Sequence, residues 1–274
     1  MRNILRFIIK YHYFLLFLLL ETFSFYLLVS YNQPHKQIFL NSSGKFASRV
    51  FEMTSTFTDY VSLKRANEEL SRENALLRSQ LFNYTSHHEL ESVEQYANDT
   101  LYQFISAKVV NNSVNKLHNY LTIDRGSKHG IHPGMGVISA RGLVGITRHV
   151  SKNYSTITSL LNTQLKISAK LRDSDYFGSL TWMGYSPSNA TLFEIPAHAK
   201  ISVGDAVVTS GYSAIFPEGI LIGTIENFEL KKGEGFYEID VKLSVDFNNL
   251  TYVESIEKSM REEQIHLEKT TAND

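Results

Sequence analysis

The chain has 274 residues, enough for one large or two small domains, and 43 % of them are hydrophobic, an ordinary share for a globular protein. Lys and Arg (27) nearly cancel Asp and Glu (28), so there is no basic excess to supply phosphate contacts, and nucleic-acid binding has no support. The lack of cysteine excludes disulfides and thiolate metal sites.

Arg2, Arg6 and Lys10 precede the apolar run YHYFLLFLLLETFSFYLLV. About 20 such residues at 1.5 Å each match a hydrocarbon core of roughly 30 Å. The residues after the run, Ser30, Tyr31, Asn32 and Gln33, lack the small-residue pattern of a cleavage site. Residues 1–10 are therefore read as a cytoplasmic end and 11–31 as an uncleaved transmembrane signal anchor. Positive flanks stay inside, which puts the rest of the chain outside the inner membrane, in the periplasm of a double-membraned cell. Glu21 interrupts the run, and a carboxyl deep in a bilayer costs about 2.5–3.5 kcal/mol. It either faces a polar group on a membrane partner or lies near the interface.

A coiled-coil stalk is expected over 38–95. Tyr60, Asn67, Asn74 and Leu81 fall at heptad position a, and Leu63, Leu70 and Leu77 at d. This is the pattern of a parallel two-stranded coil, in which a polar a residue fixes register and partner number. Phe39, Phe46 and Met53 carry the seven-residue spacing upstream. The competing reading is an ordinary amphipathic helix whose apolar stripe packs on the protein's own downstream domain.

From about Leu101 the period changes to alternation, with Gly and Asn turns every ten residues or so, so the fold class is mainly β beyond the helices. Eleven strands are expected: Phe104 to Val110, His118 to Asp124, Met135 to Ser139, Leu143 to Thr147, Thr156 to Leu160, Leu165 to Leu171, Phe177 to Met183, Thr191 to Ile195, Ala206 to Thr209, Leu221 to Asn227 and Tyr237 to Val245. That number suits two small β-barrels, placed at 101–164 and 165–254, with a charged tail over 255–274.

The stretches NYLTIDRGSKHGIHPGMGVISARGLVGIT and ISVGDAVVTSGYSAIFPEGILIGTI resemble the two signature segments of the MreC family of bacterial rod-shape-determining proteins. The resemblance covers about residues 1–255. It implies a dimeric, non-enzymatic scaffold of the cell-elongation machinery in peptidoglycan synthesis. The partners it implies are an MreD-like membrane protein, an MreB-like filament system and an elongation transpeptidase of the penicillin-binding class. An adaptor subunit of an efflux or secretion pump is the alternative, although its antiparallel coiled coil needs two helical arms and this chain has one.

Two small β-barrels also occur in chymotrypsin-type proteases, in which Ser210 would be the candidate nucleophile. It lacks a glycine-flanked setting and reads as a strand-end residue. His129, His132, His149 and His198 have no metal-ligand spacing, and no cofactor is expected. Gly211, Phe216, Pro217 and Gly219 mark a loop of another kind, either a plug closing a barrel end or an anchor for a partner.

Overall fold

The computed structural model describes residues 10–31, 62–84, 101–174, 176–230 and 235–271. Contacts divide the chain into Met1–Asn67 and Glu68–Asp274. In the first unit lies helix α1, His12–Tyr31, whose described side chains reach Leu27 and are exposed. Among the described residues no helix is long and apolar enough to cross a membrane. A second helix, α2, is described over 62–84 and carries the later half of the expected stalk. Tyr60 and the upstream seam positions Phe39, Phe46 and Met53 lie outside the described residues.

All eleven expected strands form, and those beginning at His118, Lys166 and Phe177 show the alternation most cleanly. In chain order they are β1 Tyr102–Asn112, β2 His118–Ile123, β3 Gly136–Ser139, β4 Gly142–Val150, β5 Ser155–Asn162, β6 Lys166–Leu171, β7 Phe177–Thr181, β8 Asn189–Pro196, β9 Ala206–Thr209, β10 Leu221–Leu230 and β11 Phe236–Leu243. Leu121 and Ile123 of β2, and Ile167, Ala169 and Leu171 of β6, point inward at every second residue. Closure of two antiparallel sheets removes their edges and leaves each interior filled by side chains.

A twelfth strand corrects the expected boundaries. β12, Tyr252–Lys258, leaves the second barrel and returns to the first, where it lies between β1 and β3. The first barrel is closed in the order β1-β12-β3-β4-β5-β2 and the second in the order β10-β11-β8-β7-β6-β9. The second barrel is thus an insertion in the first, and the division at 254/255 cuts through a strand. Residues 255–258 are not tail, since Ser255 and Ile256 are buried. The tail that remains forms helix α3, Arg261–Thr271.

The loop between β9 and β10 joins the barrels. Thr209 Oγ1 donates to Pro217 O at 2.6 Å and accepts from Ile220 N–H at 3.0 Å, which fixes both ends of the segment. Phe216 is 2 % exposed. Its ring lies on Gly136 of β3, where a Cβ would fall 2.5 Å from Phe216 Cε1. Glycine at 136 is therefore the socket for an aromatic key from the other barrel. Phe216 is neither an exposed anchor nor a cap on its own barrel alone.

Strand insertion makes an asymmetric prediction for truncation. A chain ending at Ser259 keeps every β1–β12 pair and should fold, whereas one ending at Thr251 leaves β1 and β3 unpaired and should not. Circular dichroism and resistance to proteolysis of the two chains check this, and equal folding of both would contradict the β12 assignment.

Candidate functional site

α2 meets the first barrel through a polar stripe. β1 pairs β12 over Tyr102 to Lys108 but pairs β2 only from Val109, so the opposite edge of its first half has no strand neighbour. α2 supplies the missing partners. Asn83 Nδ2 donates to Tyr102 O at 3.0 Å and Asn83 Oδ1 accepts from Tyr102 N–H at 2.9 Å, as a neighbouring strand would do. Ser79 Oγ accepts from Phe104 N–H at 3.0 Å.

The outer face of the β1–β12 pair lies beneath the same helix. Ser106 stands opposite Glu254 and Phe104 opposite Ile256 in the register. Ser71 Oγ and Ser106 Oγ are 2.7 Å apart, Phe82 packs on Phe104 with ring centroids 5.4 Å apart, and Ala75 is buried between. Arg78 Nη1 sits 3.0 Å from Glu254 Oε2 and also donates to Ser139 O at 3.3 Å. Burial pushes the Glu254 carboxyl above the usual carboxylate range, opposed by the charge and hydrogen bond of Arg78. An ion pair so placed fixes orientation more than it adds stability.

The predicted seam occupies a different face. Leu63 is 61 % exposed, Leu70 55 %, Leu77 54 % and Leu81 59 %. At 100° per residue, the row Leu70, Asn74, Leu77 and Leu81 lies about a quarter turn from the stripe Ser71, Ala75, Arg78 and Phe82. Asn67 and Asn74 turn back within the helix, each donating from Nδ2 at 2.9 Å, to Leu63 O and Leu70 O respectively. Leu70 and Leu77 are thus exposed along a row beside the stripe that meets the head.

The remaining candidates resolve as structural groups. Ser210 is buried, and its Oγ donates to Ser168 Oγ at 2.7 Å, while His198 meets the Tyr176 ring edge-on at 5.3 Å. The structure does not bring the two together as a nucleophile and base. Gly211 adopts φ +78°, and a Cβ there would lie 3.0 Å from Glu218 Cβ. A side chain at 211 would add roughly 1–2 kcal/mol of left-handed strain. Gly219 also has positive φ, at +87°, but in open space. Among the described residues no group of three or more His, Cys, Asp or Glu could hold a metal ion. Glu21 lies mid-way along α1, exposed.

Residues 109–256 match the family model of the rod shape-determining protein MreC, barrel core. The chain belongs to the MreC family. The match spans both barrels and ends in β12, as an inserted second barrel requires. The chain is 27 % identical over 215 residues to the cell shape-determining protein MreC of Listeria monocytogenes, covering 77 % of this chain and 72 % of that protein. A solved MreC structure from the same organism superposes with a TM-score of 0.57 at 27 % identity, covering 72 % of this chain and 94 % of the solved one. The major periplasmic domain of a cell shape-determining MreC filament is also similar, with a TM-score of 0.51 at 26 % identity, covering 58 % of this chain and 98 % of that domain.

Residue patterns overlooked the docking stripe, although Ser71, Ala75, Arg78, Ser79 and Phe82 recur at helical spacing. The signal is weak because it is polar. Arg78→Ala should expose its energetics. Without the guanidinium a buried carboxylate loses a charged hydrogen bond, at a cost of roughly 1.5–3 kcal/mol near neutral pH. Because the folded pKa of Glu254 is raised, this carboxyl contributes its full stability below the unfolded carboxylate range and loses it as pH rises through the folded value. The gap between Arg78→Ala and the parent in urea unfolding should thus widen from about pH 4 to neutral. A gap that ignores pH would show that the pair does not hold the interface.

Proposed function

We propose that this chain is a non-enzymatic, membrane-anchored scaffold of the cell-elongation machinery, dimeric through the α2 seam, with its head in the periplasm. The observation that carries the reading is the division of labour on α2. One stripe is engaged by the barrel, and an adjacent row of leucines at seven-residue spacing is left exposed. A stalk helix with an apolar row beside its own docking stripe is suited to pairing with a second copy.

Anchoring by residues 11–31 rests on the apolar run of the sequence and the basic residues before it. Glu21 would meet a polar group of an MreD-like membrane protein, or Glu21 of the second copy. Family membership favours a role in joining others. The partners proposed are the MreD-like protein, an MreB-like filament system and an elongation transpeptidase of the penicillin-binding class. The chemistry of wall synthesis would belong to that transpeptidase.

Sedimentation of the full chain in detergent should give a dimer, and Leu70→Asp with Leu77→Asp should give a monomer with an intact head spectrum. Asn67→Leu with Asn74→Leu should raise thermal stability while broadening the distribution of oligomers. Glu21→Leu should lose co-purification of a membrane partner and keep the dimer. A parent that sediments as a monomer at micromolar concentration would end the dimer reading.

A further inference from the structure

Arg72 and Leu76 belong neither to the docking stripe of α2 nor to its leucine row. At 100° per residue they stand on the flank of the stripe that faces away from the seam. Leu76 is 58 % exposed, and Arg72 is exposed and forms no hydrogen bond or ion pair among the described residues.

Below them the edge of β1 is incomplete. Odd-numbered residues turn their main chain toward β12, as Val109 N–H donates to Thr251 O and Leu101 O accepts from Ser259 N–H. Even-numbered residues therefore face the opposite edge. There Asn83 meets Tyr102 and Ser79 meets Phe104 N–H, while Lys108 N–H donates to Asp124 Oδ1 at 2.8 Å and Lys108 O accepts from Asp124 N–H at 3.0 Å. Between these ends, Phe104 C=O and both main-chain groups of Ser106 have no partner among the described residues.

The gap opens into a cleft of about 610 Å³, walled by Arg72 and Leu76 of α2, Ile105 and Ser106 of β1, and Arg125 and His129 after β2. Gly130, at φ +85°, lets the turn after β2 lie against β1, since a Cβ there would fall 3.3 Å from Ile105 Cδ1. His129 Nδ1 accepts from Gly126 N–H at 3.1 Å, so Nε2 carries the proton of the neutral ring and is left as a donor. Asp124 is engaged by Arg125 at 3.1 Å and by Lys108 N–H. Asp124 and Glu68 line a neighbouring cavity, and no acid lines this cleft.

We propose that the cleft binds a short extended segment of a partner protein that carries an acidic side chain, adding to the β1 edge at Ser106 with its carboxylate between Arg72, Arg125 and His129. An extended peptide is the ligand whose N–H and C=O groups match such an edge. One residue opposite Ser106 exchanges both main-chain bonds with it, and the N–H two residues further on reaches Phe104 O. The bonds already made at Tyr102 and Lys108 close the gap at either end, so the segment is short. Leu76 and Ile105 give it apolar contact, and the guanidinium groups select a carboxylate. The cleft lies within one head and away from the seam, so this proposal stands whether or not α2 pairs with a second copy.

The test titrates the full chain in detergent into a fluorescein-labelled peptide, Val-Thr-Glu-Thr-Val-amide, followed by anisotropy. The parent should bind it about tenfold or more tightly than the same peptide with Lys at its centre. Methylating the three central amide nitrogens of the peptide should cost about tenfold or more, because the main-chain donors are lost. Arg72→Glu should reverse the preference between the Glu and Lys peptides. Ser106→Pro removes the open N–H and should weaken binding, with circular dichroism reporting whether the barrels persist. The methylated peptide tests the same bonds on the unaltered protein. Equal binding of the Glu and Lys peptides, undiminished binding of the methylated one, or no saturable binding up to about 1 mM would overturn the proposal. So would displacement of the peptide by an equal concentration of glutarate, which would reduce the cleft to an anion pocket without strand addition.

Discussion

Strand β12 is the constraint on which the rest depends. It lies between β1 and β3, and it reaches that place only after the chain has built the second barrel. The first barrel therefore cannot close until residues far along the chain return to it, a pairing of high sequence separation that slows folding. β12 also carries Glu254, the partner of Arg78 on α2. One strand thus closes a barrel, ties the inserted barrel back to it and orients the stalk.

The docking of α2 relies on matched polar groups more than on apolar area. Asn83 and Ser79 complete a strand edge, and the Arg78 charge and hydrogen bond oppose the upward push of burial on the Glu254 carboxyl. Each bond contributes little net stability, yet a half-satisfied set would cost more than none. Such an interface specifies a single angle between helix and barrel. In the proposed dimer that angle has a geometric consequence. The seam and the docking stripe lie about a quarter turn apart, so a two-fold axis along the stalk carries the two heads to opposite flanks without a clash.

Alternation revealed eleven strands and the two-barrel class because interior and exterior positions there differ in polarity. β12 stayed hidden for a definite reason. Its sequence YVESIEK places Ser255 inside the barrel and Glu254 beneath α2, so buried polar residues break the pattern that signals a strand. The leucine heptads were legible, and the polar stripe beside them was not, since Ser and Arg on a helix normally face water. Phe216 read as either plug or anchor, because nothing local says that Gly136, some eighty residues earlier, opens a socket for it.

In the proposed dimer α2 presents one face to its own head and another to a second copy. The absence of cysteine makes disulfide mapping clean. Single cysteines at Leu70 and at Ala75 of the full chain, oxidised in membranes, should give an inter-chain disulfide at 70 and none at 75. Equal cross-linking at both positions, or none at 70, would contradict the account.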